Sequence, residues 1–233
     1  MASLNQTVRF DLANQTVREV NHYLHHSLKD GNAHRVEILH PDGHHSLAVG
    51  MEVDADVDIL GHAGYFVAGM NQRANVTIHW NVGWSVAENI MSGCVRVKGN
   101  ASQCAAASGH GGLVVIEGDA SSRCGISMKG VDIVVGGSVG HGSGFMAQAG
   151  RMVICGDAEA GLGDSMYEAV IYVAGKDRGL GAEAREEPMS EDDVAAVAGL
   201  LAKAQLQHDP QQFQRIASAR TLYHWNAAAG QDY

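Results

Sequence analysis

The side chains best suited to hold a metal or act as nucleophiles in this 233-residue chain are four cysteines and thirteen histidines. Cys94, Cys104, Cys124 and Cys155 are spaced 10, 20 and 31 residues apart. None forms the Cys-x-x-Cys pair on which zinc and iron–sulfur sites are built. They therefore read as buried, reduced thiols filling small core positions. For the pairs His25-His26 and His44-His45 there are two readings, a metal site joining the pairs or hydrogen-bonded surface histidines, and the second is the default. The carboxylates of Glu186-Glu187 and Glu191-Asp192-Asp193 could do acid–base work. They sit at the start of a predicted helix, however, where acidic residues cap and solvate. The run Gly140-His141-Gly142-Ser143-Gly144-Phe145 is similar to a dinucleotide loop. It does not lie between a strand and an amphipathic helix, so it reads as a tight corner. The phosphate-cradling, nucleophile-elbow and zinc-protease motifs do not occur. No catalytic, cofactor-binding or metal residue is assigned.

The elements that carry these residues follow from a repeat of 19 residues. An anchor recurs at Gly61, Trp80, Gly99, Gly118, Gly137, Gly156 and Gly175, and only Trp80 breaks the glycine rule. Four and two residues before each anchor stand Val57/Ile59, Val76/Ile78, Val95/Val97, Val114/Ile116, Ile133/Val135, Met152/Ile154 and Ile171/Val173. This is one short alternating strand read seven times in one register. The position after the anchor (His62, Asn81, Asn100, Asp119, Ser138, Asp157, Lys176) favours turns and reads as a corner. The next (Ala63, Val82, Ala101, Ala120, Val139, Ala158, Asp177) resumes the in–out alternation. Seven past the anchor come Ala68, Ala87, Ala106, Gly125, Gly144 and Gly163, which implies close backbone approach or a sharp bend. Ten past it, Asn71, Ile90, Gly109, Met128, Ala147 and Met166 form a looser apolar column. A fixed short period means stacked units that bury their apolar faces on one another. The fold expected is all-β: a right-handed parallel β-helix of about seven 19-residue coils with helical N- and C-terminal extensions. At about 4.8 Å per coil the rod is roughly 30 Å long.

The open ends of such a rod are strand edges that need caps. Val17, Val20, Leu24 and Leu28 recur at helical spacing, and Gly31 can end that helix. Residues from Arg35 to Met51 read as irregular first strands. Ser190 to Asp193 after Pro188 is a helix start, followed by the stripe Val194, Val197, Leu200, Leu201 and Leu206. A second short helix is expected after Pro210, carrying Phe213 and Ile216, and then an aromatic tail with Tyr223, Trp225 and Tyr233. The expected division is 1–52 (N-terminal helix and cap), 53–180 (parallel β-helix) and 181–233 (C-terminal helices and tail). A formal charge of −10 argues against nucleic acid. With no long apolar run and no secretory signal, the expectation is a cytoplasmic chain.

The run Gly140 to Gly144, followed by Gly161-Leu162-Gly163-Asp164-Ser165-Met166-Tyr167 and on to Gly175, resembles the G-x-G-x-G domain of glutamate synthases, the β-helix at the C-terminal end of their large subunit. The resemblance covers roughly Val53 to Gly181. The same domain occurs in subunits of formylmethanofuran dehydrogenase-type complexes. The chain carries neither an amidotransferase nor a flavin domain, so it looks like the stand-alone β-helix subunit of a split enzyme such as N-methylglutamate synthase (methylamine–glutamate N-methyltransferase). The stretch from Ser218 to Trp225 is also similar to the ends of such subunits. The resemblance implies a brace without catalytic residues. It also implies a glutamine-amidotransferase-like partner and a glutamate-synthase-like partner holding FMN and an iron–sulfur cluster, with no cofactor in this chain. Besides the formylmethanofuran-type alternative, an independent β-helix enzyme working along a groove remains a reading; it would want a column of carboxylates or aromatics down one face. The choice of amine lies with the partners.

Overall fold

The computed structural model describes residues 7–28 and 35–220. Its architecture is a right-handed parallel β-solenoid of about seven turns. One strand per coil builds the ladder: β1 (Thr7–Asp11), β2 (Arg35–Leu39), β3 (Asp56–Leu60), β4 (Asn75–Ile78), β5 (Cys94–Val97), β6 (Leu113–Ile116), β7 (Lys129–Val135), β8 (Ala149–Ile154) and β9 (Val170–Val173). From β1 to β9 every neighbour is parallel. From β3 onward the partners of the two inward columns differ by 19 residues, as Val57↔Val76 and Ile59↔Ile78 do. These columns are buried throughout, because a period-2 strand in one register always turns the same residues inward. The position two past the anchor forms a second, one-residue ladder from Ala63 to Asp177.

The bend between these arms alternates handedness. At five, seven and nine residues past the anchor the backbone is left-handed in coil after coil, as at Phe66, Ala68 and Met70 or Ser85, Ala87 and Asn89. Amides of this stretch bond alternately to the following coil (Phe66 N–H to Trp84 O, 2.7 Å) and the preceding one (Ala68 N–H to Leu47 O, 2.9 Å). The Gly/Ala column is therefore both left-handed and buried against its neighbours, which satisfies both reasons for its small side chains.

The N-terminal end is closed by α1 (Val17–His26), which starts with a reciprocal capping box between Thr16 and Glu19. Val20 and Leu24 join the core beside Val36, Ile38 and Leu47. Asn21 replaces a missing coil: its Oδ1 accepts from Ala48 N–H (3.0 Å) and its Nδ2 donates to Ser46 O (2.7 Å). The Gly31 stop expected for this helix lies outside the described residues.

The C-terminal segments depart from expectation in two ways. The helix α2 (Glu191–Ala204) forms with the expected cap at Ser190 but does not close the rod's end. It lies along the side, where Val197, Leu200, Leu201 and Ala204 cover Val115, Val134, Val153 and Tyr172. Those four occupy one outward column, three before the anchor, which begins with the polar Asp58, Thr77 and Arg96 and turns apolar from the fourth coil. The expected second helix after Pro210 is only a 3-10 turn (Pro210–Gln212) leading into β11 (Gln214–Ser218). This strand pairs antiparallel with β9, and β10 (Ala184–Glu187) pairs with it. The reason is the open edge, whose amides and carbonyls need partners. Phe213 and Ile216, spaced like one helical face, point to opposite sides: Phe213 under α2 and Ile216 into the solenoid core.

Candidate functional site

The corner from Gly140 to Gly144 is the segment that most invites a ligand, and its hydrogen bonds decide what it can do. Gly142 (φ 67°) and Gly144 (φ 69°) are left-handed. A Cβ on Gly140 would lie 2.6 Å from Ser122 N. The amides of Gly140, Gly142 and Gly144 donate to Ala120 O (3.0 Å), Ala160 O (3.1 Å) and Cys124 O (2.8 Å). Each glycine N–H is committed to a neighbouring coil, so the glycine amides of the run do not cradle an anion as those of a phosphate loop do. Ser143 is buried and its hydroxyl donates to Gly140 O (2.8 Å), so it is held as part of the turn. Beside the corner is a small cavity of about 160 Å³, lined by Arg123, His141, Gly142, Phe145, Gly161 and Asp164. Asp164 accepts the Ser165 hydroxyl at 2.7 Å. The pocket is a small notch with more apolar than polar wall, of a size to seat a single small side chain.

The polar column after the anchor is consumed by the fold. Asn81 Oδ1 accepts from Asn100 N–H (2.8 Å), Asn100 Oδ1 from Asp119 N–H (2.9 Å), and Asp119 Oδ1 from Ser138 N–H (2.7 Å). Ser138 Oγ then accepts from Asp157 N–H (3.0 Å), and Asp157 Oδ1 from Lys176 N–H (2.8 Å). This ladder also explains the anchor glycines. A Cβ on Gly118 would sit 2.1 Å from Asn100 Oδ1, and one on Gly137 2.1 Å from Asp119 Oδ1. At Trp80 the preceding corner residue is His62, whose ring meets the indole edge-on at 4.9 Å.

Three of the thiols sit in surroundings that disfavour thiolate. Cys124 and Cys155 are buried; burial pushes Cys124 up to about 12 and Cys155 to about 11. Burial also raises Cys94. Reactive or metal-binding cysteines need the opposite. The histidine pairs are engaged separately. His25 Nε2 lies 2.6 Å from Val49 O, while His45 stacks on Tyr65 at 3.9 Å and accepts its N–H through Nδ1. His26 contacts His22 at 4.5 Å, and these rings line an open depression on α1 with Arg18 and Glu19. Among the described residues no group of three or more His, Cys, Asp or Glu is placed to hold a metal. No described helix is long and apolar enough to cross a membrane. Of the carboxylates expected at the helix start, Asp193 does cap α2, whereas Glu186 and Glu187 lie in β10, where Glu187 pairs with Arg185 and Arg215. Burial opposes the charge of Asp193, but hydrogen bonds from the Ser190 hydroxyl and amide and the Tyr172 hydroxyl, together with Arg215, hold it near a pKa of about 2. The aromatic tail at Tyr223, Trp225 and Tyr233 lies outside the described residues.

Sequence reasoning missed one feature. Tyr65, Trp80 and Trp84 are 51%, 59% and 60% exposed, in two consecutive coils. The signal was available: Trp80 alone breaks the anchor rule, and Tyr65 and Trp84 share the position four past the anchor.

No protein-family profile matches the chain, and no solved structure matches it. Among curated proteins, Protein GlxC of Rhizobium meliloti (strain 1021) is 48% identical over 217 residues, covering 93% of this chain and 95% of that protein.

Proposed function

This chain belongs to the family of Protein GlxC, and from that premise we propose that it is a non-catalytic β-helix subunit of a glutamate-synthase-like complex. The complex is of the kind that converts methylamine and glutamate to N-methylglutamate and ammonia. The observation that carries this reading is the use of polar groups. The corner column bonds to the next coil's amides, and the glycine run donates its amides to adjoining coils. A rod whose recurring polar columns are spent on itself is suited to hold other subunits at a fixed separation, not to converge groups on a reacting atom. The G-x-G-x-G run and the 19-residue coil support the glutamate-synthase kinship. The partners are then a glutamine-amidotransferase-like subunit and an FMN-binding, iron–sulfur-bearing synthase-like subunit, and this chain brings no cofactor. A groove enzyme acting on a polymer is disfavoured because no outward column stays aromatic along the rod; the column of Tyr65 and Trp84 continues as Gln103 and Ser122.

Reconstitution tests the proposal. The amidotransferase-like and synthase-like subunits of the same host are co-expressed with and without this chain. Assembly and N-methylglutamate formation are expected only when it is present. Deleting residues 221–233 is expected to weaken assembly while the solenoid stays folded. A fully active complex of the other two subunits alone sinks the scaffold reading.

A further inference from the structure

Among the described residues the rod has two apolar outer surfaces, and only one of them is covered. The column Val115, Val134, Val153 and Tyr172 lies under α2. The other surface belongs to the first two full coils. Among the described residues, most of the large hydrophobic side chains that remain exposed fall between 60 and 91: Leu60, Tyr65, Met70, Trp80, Trp84 and Met91. We propose that the face carrying Tyr65, Trp80 and Trp84 is the docking surface for a partner subunit, a protein presenting an uncharged apolar patch. This inference rests on the subunit reading above and adds to it which part of the rod is engaged.

The face is built rather than incidental. His45 stacks on Tyr65 and His62 abuts Trp80, so both rings are held by neighbours in the preceding coil. The position between the corner and Trp84 is glycine in both coils. A Cβ on Gly83 would lie 2.6 Å from the Gly64 carbonyl carbon, so backbone rests on backbone and no side chain stands between the aromatic walls. The stretch that carries these rings is poor in charge within a chain of formal charge −10. Residues 60–91 contain one base, Arg73, which is paired with Asp54, and one acid, Glu88. Aromatic and methionine side chains with few charges are the composition of an interface core. The three rings of this face expose roughly 350 Å², an aromatic centre for the ~800 Å² that one partner contributes to a standard interface. A second copy of the chain is the poorer occupant, because two strongly acidic rods repel.

The test uses substitutions that the repeat itself supplies. Trp80→Gly and Trp84→Gln give each position the residue found in the next coil, Gly99 and Gln103, so the fold is expected to keep its melting temperature. In co-expression with the amidotransferase-like and synthase-like subunits, the double variant is expected to weaken assembly at least tenfold by native mass spectrometry across a dilution series. Hydrogen exchange on the wild-type complex is expected to show new protection in residues 80–91. Unchanged assembly of a folded variant overturns this inference and leaves the subunit reading standing; failure of the wild-type chain to assemble overturns both. A wild-type dimer of the isolated chain that the double variant dissociates assigns the face to self-association instead. Loss of protection at 80–91 in the isolated chain on deleting 221–233 assigns it to that segment. Either result also overturns the proposal.

Discussion

Gly144 carries two constraints at once. Its φ is +69°, and a Cβ there would lie 2.6 Å from Ile171 Cδ1. The contact is with the end of a side chain that can move, and Ala occupies the same column at Ala68, Ala87 and Ala106 with φ near 55°. A β-branched residue is different, because left-handed backbone crowds both of its γ-carbons. Gly144→Val is expected to destabilise by about 1–3 kcal/mol and Gly144→Ala by less, measured by denaturant unfolding; an unchanged valine variant contradicts this account. The anchor glycines make a separate prediction. Gly118→Ala is expected to cost about 1–3 kcal/mol through overpacking against Asn100 Oδ1. Combined with Asn100→Gly, which removes that oxygen, the penalty should shrink. A double-mutant cycle with coupling below about 0.5 kcal/mol would show that the corner side chain is not what selects glycine.

At the scale of elements, α2 is held at both ends by long-range polar contacts. Tyr172 OH donates to Asp193 Oδ1 (2.7 Å), and Arg215 Nε donates to the same oxygen (3.2 Å). At the other end Arg96 donates to Ala204 O (3.0 Å), meeting a carbonyl that the helix leaves unpaired. The apolar stripe between them supplies the burial, and the polar ends set the register along the coils. Because the pKa of Asp193 is depressed from 3.8 to about 2 in the folded chain, its contribution is complete above pH 4 or so. It is lost as pH falls from about 4 toward 2. Asp193→Asn is therefore expected to melt below wild type near neutral pH, with the gap closing as pH approaches 2. A gap that stays constant over that range means the carboxylate charge does not help to anchor the helix.

For the whole molecule, the solenoid distributes its core along the rod as ladders, and each coil depends on its neighbours for hydrogen-bond partners. That dependence explains why both ends are built from non-repeating pieces: Asn21 supplies acceptor and donor where a coil is lacking, and β11 turns antiparallel to seal β9. It also leaves few free groups for chemistry. The purified chain is expected to show neither flavin nor iron–sulfur absorption and to contain no stoichiometric metal. The grounds are the committed amides of Gly140, Gly142 and Gly144, the scatter of the cysteines and the burial that raises Cys94, Cys124 and Cys155. An absorption spectrum with elemental analysis checks this, and a flavin band or stoichiometric iron would mean that the corner or the cysteines have been misjudged.

The sequence by itself determined the solenoid: the period, the inward columns, the Gly/Ala bend and the capping box of α2 are each written within one coil or one turn. Every coil repeats the same local geometry, so seven readings of one pattern reinforce each other. Tertiary structure alone decided where the segments that flank the solenoid go. Phe213 and Ile216 carried a helical spacing, yet the unpaired edge of β9 drew them into a strand. The outward column that becomes apolar at Val115 was legible as a pattern, but its partner, α2, lies far along the chain; Arg96 and Ala204 are 108 residues apart. The same holds for Trp80 and Trp84. Their residue types stand in the sequence, whereas their exposure is fixed only by which column α2 covers and which it leaves bare, and no local pattern records a contact between segments so distant.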